Sequence, residues 1–211
     1  LITAPCREDA IIRLRSAVGQ DGRVLAREME VLLDSGAAAT DGPYLCSIPF
    51  LLAGVPYRTG PTRVRSRTVY TNTAPTGAFR GVSGTHTVFA LERHADHIAD
   101  RLGVDRRQWR LDNLMDDGDA LLNGQVLPDL SIIREAFDQA EEMAPWDSLG
   151  QGPNRGVGIA ACVWLTNPMP GSATVKLNED GTVTVVTGAT ANGWGALAMG
   201  IAQVAAEELG V

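Results

Sequence analysis

The stretch Tyr70 to Gly84, Y-T-N-T-A-P-T-G-A-F-R-G-V-S-G, constrains this chain more than any other. A strand-like run, Arg63 to Thr71, leads into it. The clearest helix of the chain, Thr85 to Leu102, leads out. In that helix Val88, Leu91, Ala95, Ile98 and Leu102 recur at spacings of 3, 4, 3 and 4, which places them on one face. Gly103 ends it. Strand, glycine-bearing loop and amphipathic helix together present the loop at a helix N-terminus. Glycine lets a backbone approach a ligand closely, and a helix N-terminus favours negative charge. Phe79 and Arg80 sit immediately before Gly81, so the loop is expected to bring backbone N–H groups to a polar ligand.

Around this unit the chain reads as alternating short elements. Ala10 to Val18 is a strand, Gln20-Asp21-Gly22 a turn, and Val24 to Leu33 the returning strand of a hairpin. Ser35 to Pro43 is irregular, and Tyr44 to Ala53 is either a short buried helix or a loop under the core. Asp105 is placed to cap a short helix through Asn113. Asp116 to Pro128 is a polar loop. Leu130, Ile133, Ala136, Phe137 and Ala140 mark another amphipathic helix. Pro145 to Gly158 is rich in Pro and Gly and is the best linker. Beyond it, Val157 to Leu165, Ala173 to Leu177 and Thr182 to Val186 read as strands, with a turn at Asn178 to Gly181. A glycine-rich loop, Thr187 to Gly195, precedes a helix from Ala196 to Leu209. The class is α+β, with mixed or antiparallel strands and packed helices in two parts. Residues 1–144 form part of a first domain, 145–158 a linker, and 159–211 the start of a second.

With 211 residues the chain holds one domain or two small ones. A net charge of −7 with no dominant basic patch argues against nucleic acid as a partner. Cys6, Cys46 and Cys162 are odd in number and far apart, with no C-x-x-C. A disulfide framework or zinc site is therefore not expected, and reduced thiols fit a cytoplasmic protein. No apolar run spans a bilayer; Ile48 to Val55 is too short. The chain lacks an initiator Met and opens mid-strand, which reads as a piece of something longer. His94 and His97 lie three apart beside Glu92 and Asp96, but are expected on a solvated helix face rather than on a metal. The Glu pairs at 141–142 and 207–208 read as solvated helix surface too.

Three motifs occur in order: T-N-x-x-P-x-x-A-F-R-G-x-x-G from Thr71, E-x3-D-x-I-A-x-x-L-G-x-D from Glu92, and R-x-x-N from Arg110. Together they resemble the molybdenum-binding large subunit of the xanthine dehydrogenase/aldehyde oxidase family, which includes the carbon-monoxide dehydrogenase-like hydroxylases. The resemblance covers nearly the whole chain. It implies that the two parts are portions of the family's first and second molybdopterin-binding domains. It implies molybdopterin carrying molybdenum, in its cytosine dinucleotide form, and partner subunits bearing iron–sulfur clusters and FAD. It places Phe79, Arg80 and Gly81 at the cofactor, with the Arg80 main-chain N–H near molybdenum. Gly188 to Gly195, G-A-T-A-N-G-W-G, resembles the family's second cofactor loop, so Gly193, Trp194 and Gly195 are cofactor-binding candidates. Trp194 stands where that loop has Gln, exchanging an amide donor and acceptor for one indole donor and bulk.

The resemblance also implies a substrate class. Ile48, Val82, Val163 and Trp164 fall at substrate-pocket positions. Xanthine dehydrogenases have an Arg at the position of Ile48 and stacking Phe at those of Val82 and Val163. Carbon-monoxide dehydrogenases have a copper-binding Cys where Gly81 stands. Neither a purine pocket nor copper chemistry is therefore expected. The expected activity of the parent protein is hydroxylation of an aldehyde or N-heterocycle, with electrons passed to the iron–sulfur and flavin partners. The family's catalytic Glu and its G-G-x-F-G-G loop are not found in these residues. No catalytic residue is assigned, and the isolated chain is expected to be inactive and to hold no cofactor. Two alternatives stand beside this reading: a degenerate family scaffold acting as a non-catalytic interaction domain, which Trp194 would suit, and an unrelated α+β binding domain.

Overall fold

The computed structural model describes residues 5–126, 129–146, 150, 152–164, 170–189 and 197–210. The chain divides into two compact units, Leu1–Trp164 and Leu165–Val211.

In the first unit, strands β1 (Ala10–Val18) and β2 (Val24–Gly36) form an antiparallel hairpin, with Ile12 opposite Val31 and Leu14 opposite Met29. Gly22 closes the turn at φ 82°, a conformation open to glycine. Strand β2 runs three residues past the expected end at Leu33 because a second partner holds it. That partner is β3 (Thr62–Tyr70), which pairs parallel to β2 and gives the order β1-β2-β3. Two short helices, α1 (Gly42–Leu45) and α2 (Ile48–Leu52), make the crossover, so the Tyr44 to Ala53 segment is helical in two pieces.

The pleat sorts the sheet's faces. Met29, Val31 and Leu33 of β2 are buried and pack with Leu45, Ala53 and Leu91. Leu91 belongs to α3 (Gly84–Leu102). Ala95, Ile98 and Ala99 of the same helix join a second cluster with Val24, Tyr57, Trp109, Leu114 and Phe137. The expected face of α3 is thus largely buried, except that Leu102 is 36% exposed at the helix end. Thr87, Glu92 and Ala99, outside the apolar pattern, are buried too. Gly103 ends α3 at φ 67° and its N–H returns to the last turn.

Helix α4 (Arg106–Asn113) begins at Asp105, whose side chain accepts the Gln108 N–H. Trp109 is 2% exposed, its indole N–H donates to the Gly22 carbonyl at 3.0 Å, and its ring tilts against Tyr57 at 5.4 Å. Helix α5 (Ser131–Met143) buries Phe137.

One expected strand is absent. Residues 157–164 are irregular, and 165 lies outside the described residues. Ile159 and Ala161 pack against the second cluster, and the Ala161 N–H donates to the Glu92 carboxylate at 3.1 Å. The segment's apolar alternation serves packing against helices, and its backbone partner is a side chain rather than a strand.

In the second unit, β4 (Ala173–Leu177) and β5 (Val183–Thr187) form an antiparallel hairpin around Gly181 at φ 82°. A π-helical turn, Leu197–Ile201, leads into α6 (Ala202–Leu209). The expected helix was a single α-helix from Ala196; its described start is wider.

Candidate anion-facing loop before helix α3

The connection from β3 to α3 is held by a series of backbone contacts that then stops. The Thr76 N–H donates to the Ser35 carbonyl, and the Gly77 N–H to the Cys6 carbonyl at 3.1 Å. The Ala78 N–H donates to the Asp41 carboxylate at 2.8 Å. The next three N–H groups, of Phe79, Arg80 and Gly81, have no partner among the described residues. Pairing resumes with the Val82 N–H on the Phe79 carbonyl and the Gly84 N–H on the Gly81 carbonyl.

Phe79 and Arg80 are exposed and Gly81 is half-buried, so these three donors are open to water or to a ligand. Here they sit beside the N-terminus of a 19-residue helix, whose first-turn N–H groups and dipole add to the same positive potential. Phe79 is 50% exposed, and Arg80 is exposed. Gly81 takes φ 76°, the left-handed region, and a Cβ there would lie 2.8 Å from the Thr85 methyl group. The donor set is N–H groups and a guanidinium, with no carboxylate in the loop. That chemistry fits an anionic, oxygen-rich ligand such as a phosphorylated pterin.

Several residues that shape this loop lie outside the motifs. Arg7 donates to the Arg80 carbonyl at 2.5 Å and to the Thr85 hydroxyl at 2.6 Å, and its guanidinium carbon lies 5.2 Å from the Phe79 ring centre. Glu8, 4% exposed, accepts the Ser83 hydroxyl and lies 3.5 Å from His86 Nε2. Burial holds the His86 imidazole below its ordinary value, the Glu8 carboxylate pulling it up and Arg7 pushing it down. Glu8 and Ser83 are 75 positions apart, so no local pattern joins them. Neither Arg7 nor Glu8 is assigned a role from the sequence.

The other site candidates are dispersed. Val82 is on the loop, half-buried against the first cluster. Trp164 is 46% exposed and its ring packs against Gly84, where any Cβ would collide with it. It therefore stands beside the first turn of α3, with half-buried Val163 next to it. Ile48 is 3% exposed at the start of α2, on a separate element. Gly193, Trp194 and Gly195 lie outside the described residues.

The downstream motifs build a support rather than a surface. Arg110 is fully buried and donates to Glu92 Oε2 at 2.8 Å, Asp96 Oδ1 at 2.9 Å and the Arg106 carbonyl at 3.0 Å. Burial works against its charge, but Glu92 and Tyr57 outweigh it and hold the guanidinium above its ordinary value. Asn113 closes α4 on the Trp109 carbonyl at 2.9 Å. The Tyr57 hydroxyl is buried without a hydrogen bond of ordinary geometry among the described residues, and burial and Glu92 push it well up.

His97 is exposed, but His94 is half-buried and its Nε2 lies 3.0 Å from the Ser16 hydroxyl. The expected solvated face therefore fails at His94, because β1 covers it. Burial, then Arg27 and His97, push its imidazole down to about 4. His94, His97 and Arg101 line a cavity of about 500 Å³ beside Ser16 and Ile98. Among the described residues no group of three or more His, Cys, Asp or Glu could hold a metal ion, and no helix is long and apolar enough to cross a membrane.

Comparison with known proteins places these features in context. A profile of the molybdopterin cofactor-binding domain matches residues 1–114, and a second profile of the same description matches 133–211. The chain is 32% identical over 206 residues to the xanthine dehydrogenase molybdenum-binding subunit of Escherichia coli O157:H7, covering 92% of this chain and 27% of that protein. It is 33% identical over 194 residues to the aldehyde oxidoreductase of Megalodesulfovibrio gigas, covering 88% and 21%. Its structure matches that of an aldehyde oxidoreductase from Desulfovibrio gigas with a TM-score of 0.69 at 31% identity, over 85% of this chain and 21% of that one. The chain thus spans about a quarter of the length of these curated relatives.

Proposed function

This chain belongs to the molybdopterin cofactor-binding domain family, and from that premise we propose that it forms part of the molybdenum subunit of a hydroxylase acting on an aldehyde or N-heterocycle. The observation that carries the proposal is the run of unpaired N–H groups at Phe79, Arg80 and Gly81 beside the start of α3. Bound there, a molybdopterin would supply the redox chemistry of hydroxylating an electron-poor carbon. The chain's own share is to hold and orient the cofactor. Arg80 and Gly81 offer backbone N–H donors, and the helix dipole favours the cofactor's negative charge. Gly193, Trp194 and Gly195 are proposed as a second contact, residues 145–158 as the linker between the two domain portions, and the cytosine dinucleotide as the cofactor's form. Iron–sulfur and FAD subunits are the proposed electron acceptors, the rest of the molybdenum subunit is the further partner, and the cytoplasm is the proposed compartment.

The substrate class follows from what the pocket candidates lack. Ile48 offers no hydrogen bond to a purine carbonyl. Val82 and Val163 offer no ring, forfeiting about 0.5–1.5 kcal/mol per missing stacking pair. A site without these groups discriminates little in favour of xanthine.

The test is the parent subunit with its electron-transfer partners. Molybdenum and released pterin are measured first. Values of kcat/KM are then compared for xanthine, an aromatic aldehyde and an N-heterocycle. Bound pterin with xanthine the poorest substrate is the expected result. A folded complex with no pterin would sink the proposal and leave a non-catalytic scaffold; xanthine as best substrate would overturn the pocket assignment.

A further inference from the structure

We infer that Arg7 and Glu8 are the positioning residues of the Phe79–Gly81 loop, holding the turn from Arg80 to Ser83 so that the Gly81 N–H stays unengaged and available to an anionic ligand beside those of Phe79 and Arg80; this rests on the cofactor-binding role proposed above. The segment carrying them runs alongside the loop residue by residue. Cys6 bridges Thr76 in parallel, and its carbonyl takes the Gly77 N–H. Arg7 then takes the Arg80 carbonyl, Glu8 takes the Ser83 hydroxyl, and the Asp9 carbonyl takes the Asp34 N–H. Two adjacent side chains therefore hold both ends of the turn from Arg80 to Ser83.

Peptide planarity converts that hold into a direction for the donors. In a trans peptide the carbonyl of one residue and the N–H of the next point opposite ways. Arg7 draws the Arg80 carbonyl toward itself, so the Gly81 N–H is turned away from Arg7. The Val82 N–H holds the Phe79 carbonyl, which turns the Arg80 N–H away in the same manner. If Arg7 let go, the Arg80–Gly81 peptide would be free to flip. Glycine at φ 76° makes that flip easy. A guanidinium suits this task because it reaches the carbonyl, the Thr85 hydroxyl and the Phe79 face at once from one plane.

Glu8 secures the other end. Ser83 has φ 39°, a left-handed conformation rare for residues with a side chain. Its hydroxyl bond to the buried Glu8 carboxylate retains it there. Glu8 Oε2 and His86 Nε2 have no hydrogen bond among the described residues. A buried carboxylate with an oxygen left over is costly to keep.

The test uses backbone ¹⁵N relaxation on the 211-residue chain and molybdenum and pterin content of the full subunit, for wild type, Arg7→Ala, Arg7→Gln and Glu8→Gln. Arg7→Gln keeps part of the stem and an amide donor, without the charge or the reach, in case Arg7→Ala fails to fold. In wild type the Arg80 and Gly81 amides should be as ordered as the Leu91 amide, with order parameters of about 0.85. Replacing Arg7 should lower them below about 0.6 while Leu91 and Met29 stay rigid. Glu8→Gln should loosen Ser83 first. In the subunit, cofactor retention should fall about 10–100-fold with Arg7 replaced, the scale at which supporting residues act. An ordered loop in both Arg7 variants would overturn the inference, as would a loosened loop with undiminished cofactor. A wild-type subunit without cofactor would refute the proposed function alone, since the relaxation measurement still decides whether Arg7 holds the loop.

Discussion

Arg110 shows how much a single side chain carries. It is fully buried, and its charge is matched by Glu92 from one helix turn and Asp96 from the next. Removing Arg110 leaves the buried Glu92 carboxylate without its counter-charge, whereas removing Glu92 leaves Arg110 paired with Asp96 alone. Arg110→Met should cost about 3–5 kcal/mol in urea unfolding, and Glu92→Gln less, about 1–3 kcal/mol, because Asp96 still pairs with Arg110; a loss under about 1 kcal/mol in Arg110→Met would mean the pair is better solvated than its burial indicates. Glu92→Gln should also loosen residues 159–161, because the Ala161 N–H shares the Glu92 carboxylate. His94 makes a second case. Its ordinary value is 6.5 and burial lowers it to about 4, so the fold holds the neutral ring. The contribution is complete above pH 6.5 and lost as pH falls through 4. Discounted for a ring only half-buried, it amounts to about 1–2 kcal/mol. Urea midpoints at pH 7 and pH 4.5 should differ less in His94→Gln than in wild type. An unchanged pH slope would show that other groups carry it. Neither role was legible in the chain: the motif letters named Arg110 and Glu92, but only the crossing of two helices brings together groups 18 positions apart.

At the scale of elements, local signals decided most boundaries. Asp105 caps α4, its Oδ1 accepting the Gln108 N–H at 2.8 Å while Oδ2 accepts the Trp146 indole N–H at 3.2 Å. Asp105→Ala should therefore cost about 1 kcal/mol by thermal or urea unfolding, within the range for lost N-caps. Asp105→Asn should restore most of it, and no difference between the two would assign the loss to charge rather than capping. The hairpin β1–β2, helix α3 and the β4–β5 hairpin were likewise legible, since periodicity and turn residues act over a few positions. The strand expected at Val157 to Leu165 was not. Alternating apolar residues suit any surface that accepts every second side chain, and here the second core cluster takes Ile159 and Ala161. The parallel partner of β2 was illegible for a related reason: parallel pairing needs a crossover, and nothing in β3 alone names its neighbour.

For the molecule as a whole, the two units differ in how much they bury. The first has continuous clusters under the sheet and helices. In the second, Val175, Leu177 and Val186 of the hairpin and Val204 of α6 are 49–66% exposed. A hairpin of that size is marginal without a covered face. Residues 165–211 expressed alone should be largely unstructured by circular dichroism; a cooperative unfolding transition would refute this. The 211-residue chain should also retain no stoichiometric molybdenum after purification. Its described loop offers three backbone N–H groups to a multiply charged cofactor, and the chain spans about a quarter of the relatives' length. Metal analysis checks this, and one molybdenum per chain would show these contacts to be sufficient.

The family, the α+β class, the hairpins, helix α3 and the A-F-R-G loop were determined by the sequence alone. Each depends on residues adjacent in the chain or repeating within one helical turn. Tertiary structure decided which loop N–H groups stay unpaired, that Arg7 and Glu8 grip the loop from more than 70 positions away, and that Arg110 is a buried strut. Those facts depend on which segments meet across the fold, and a pairing between distant segments leaves no period or spacing in either one.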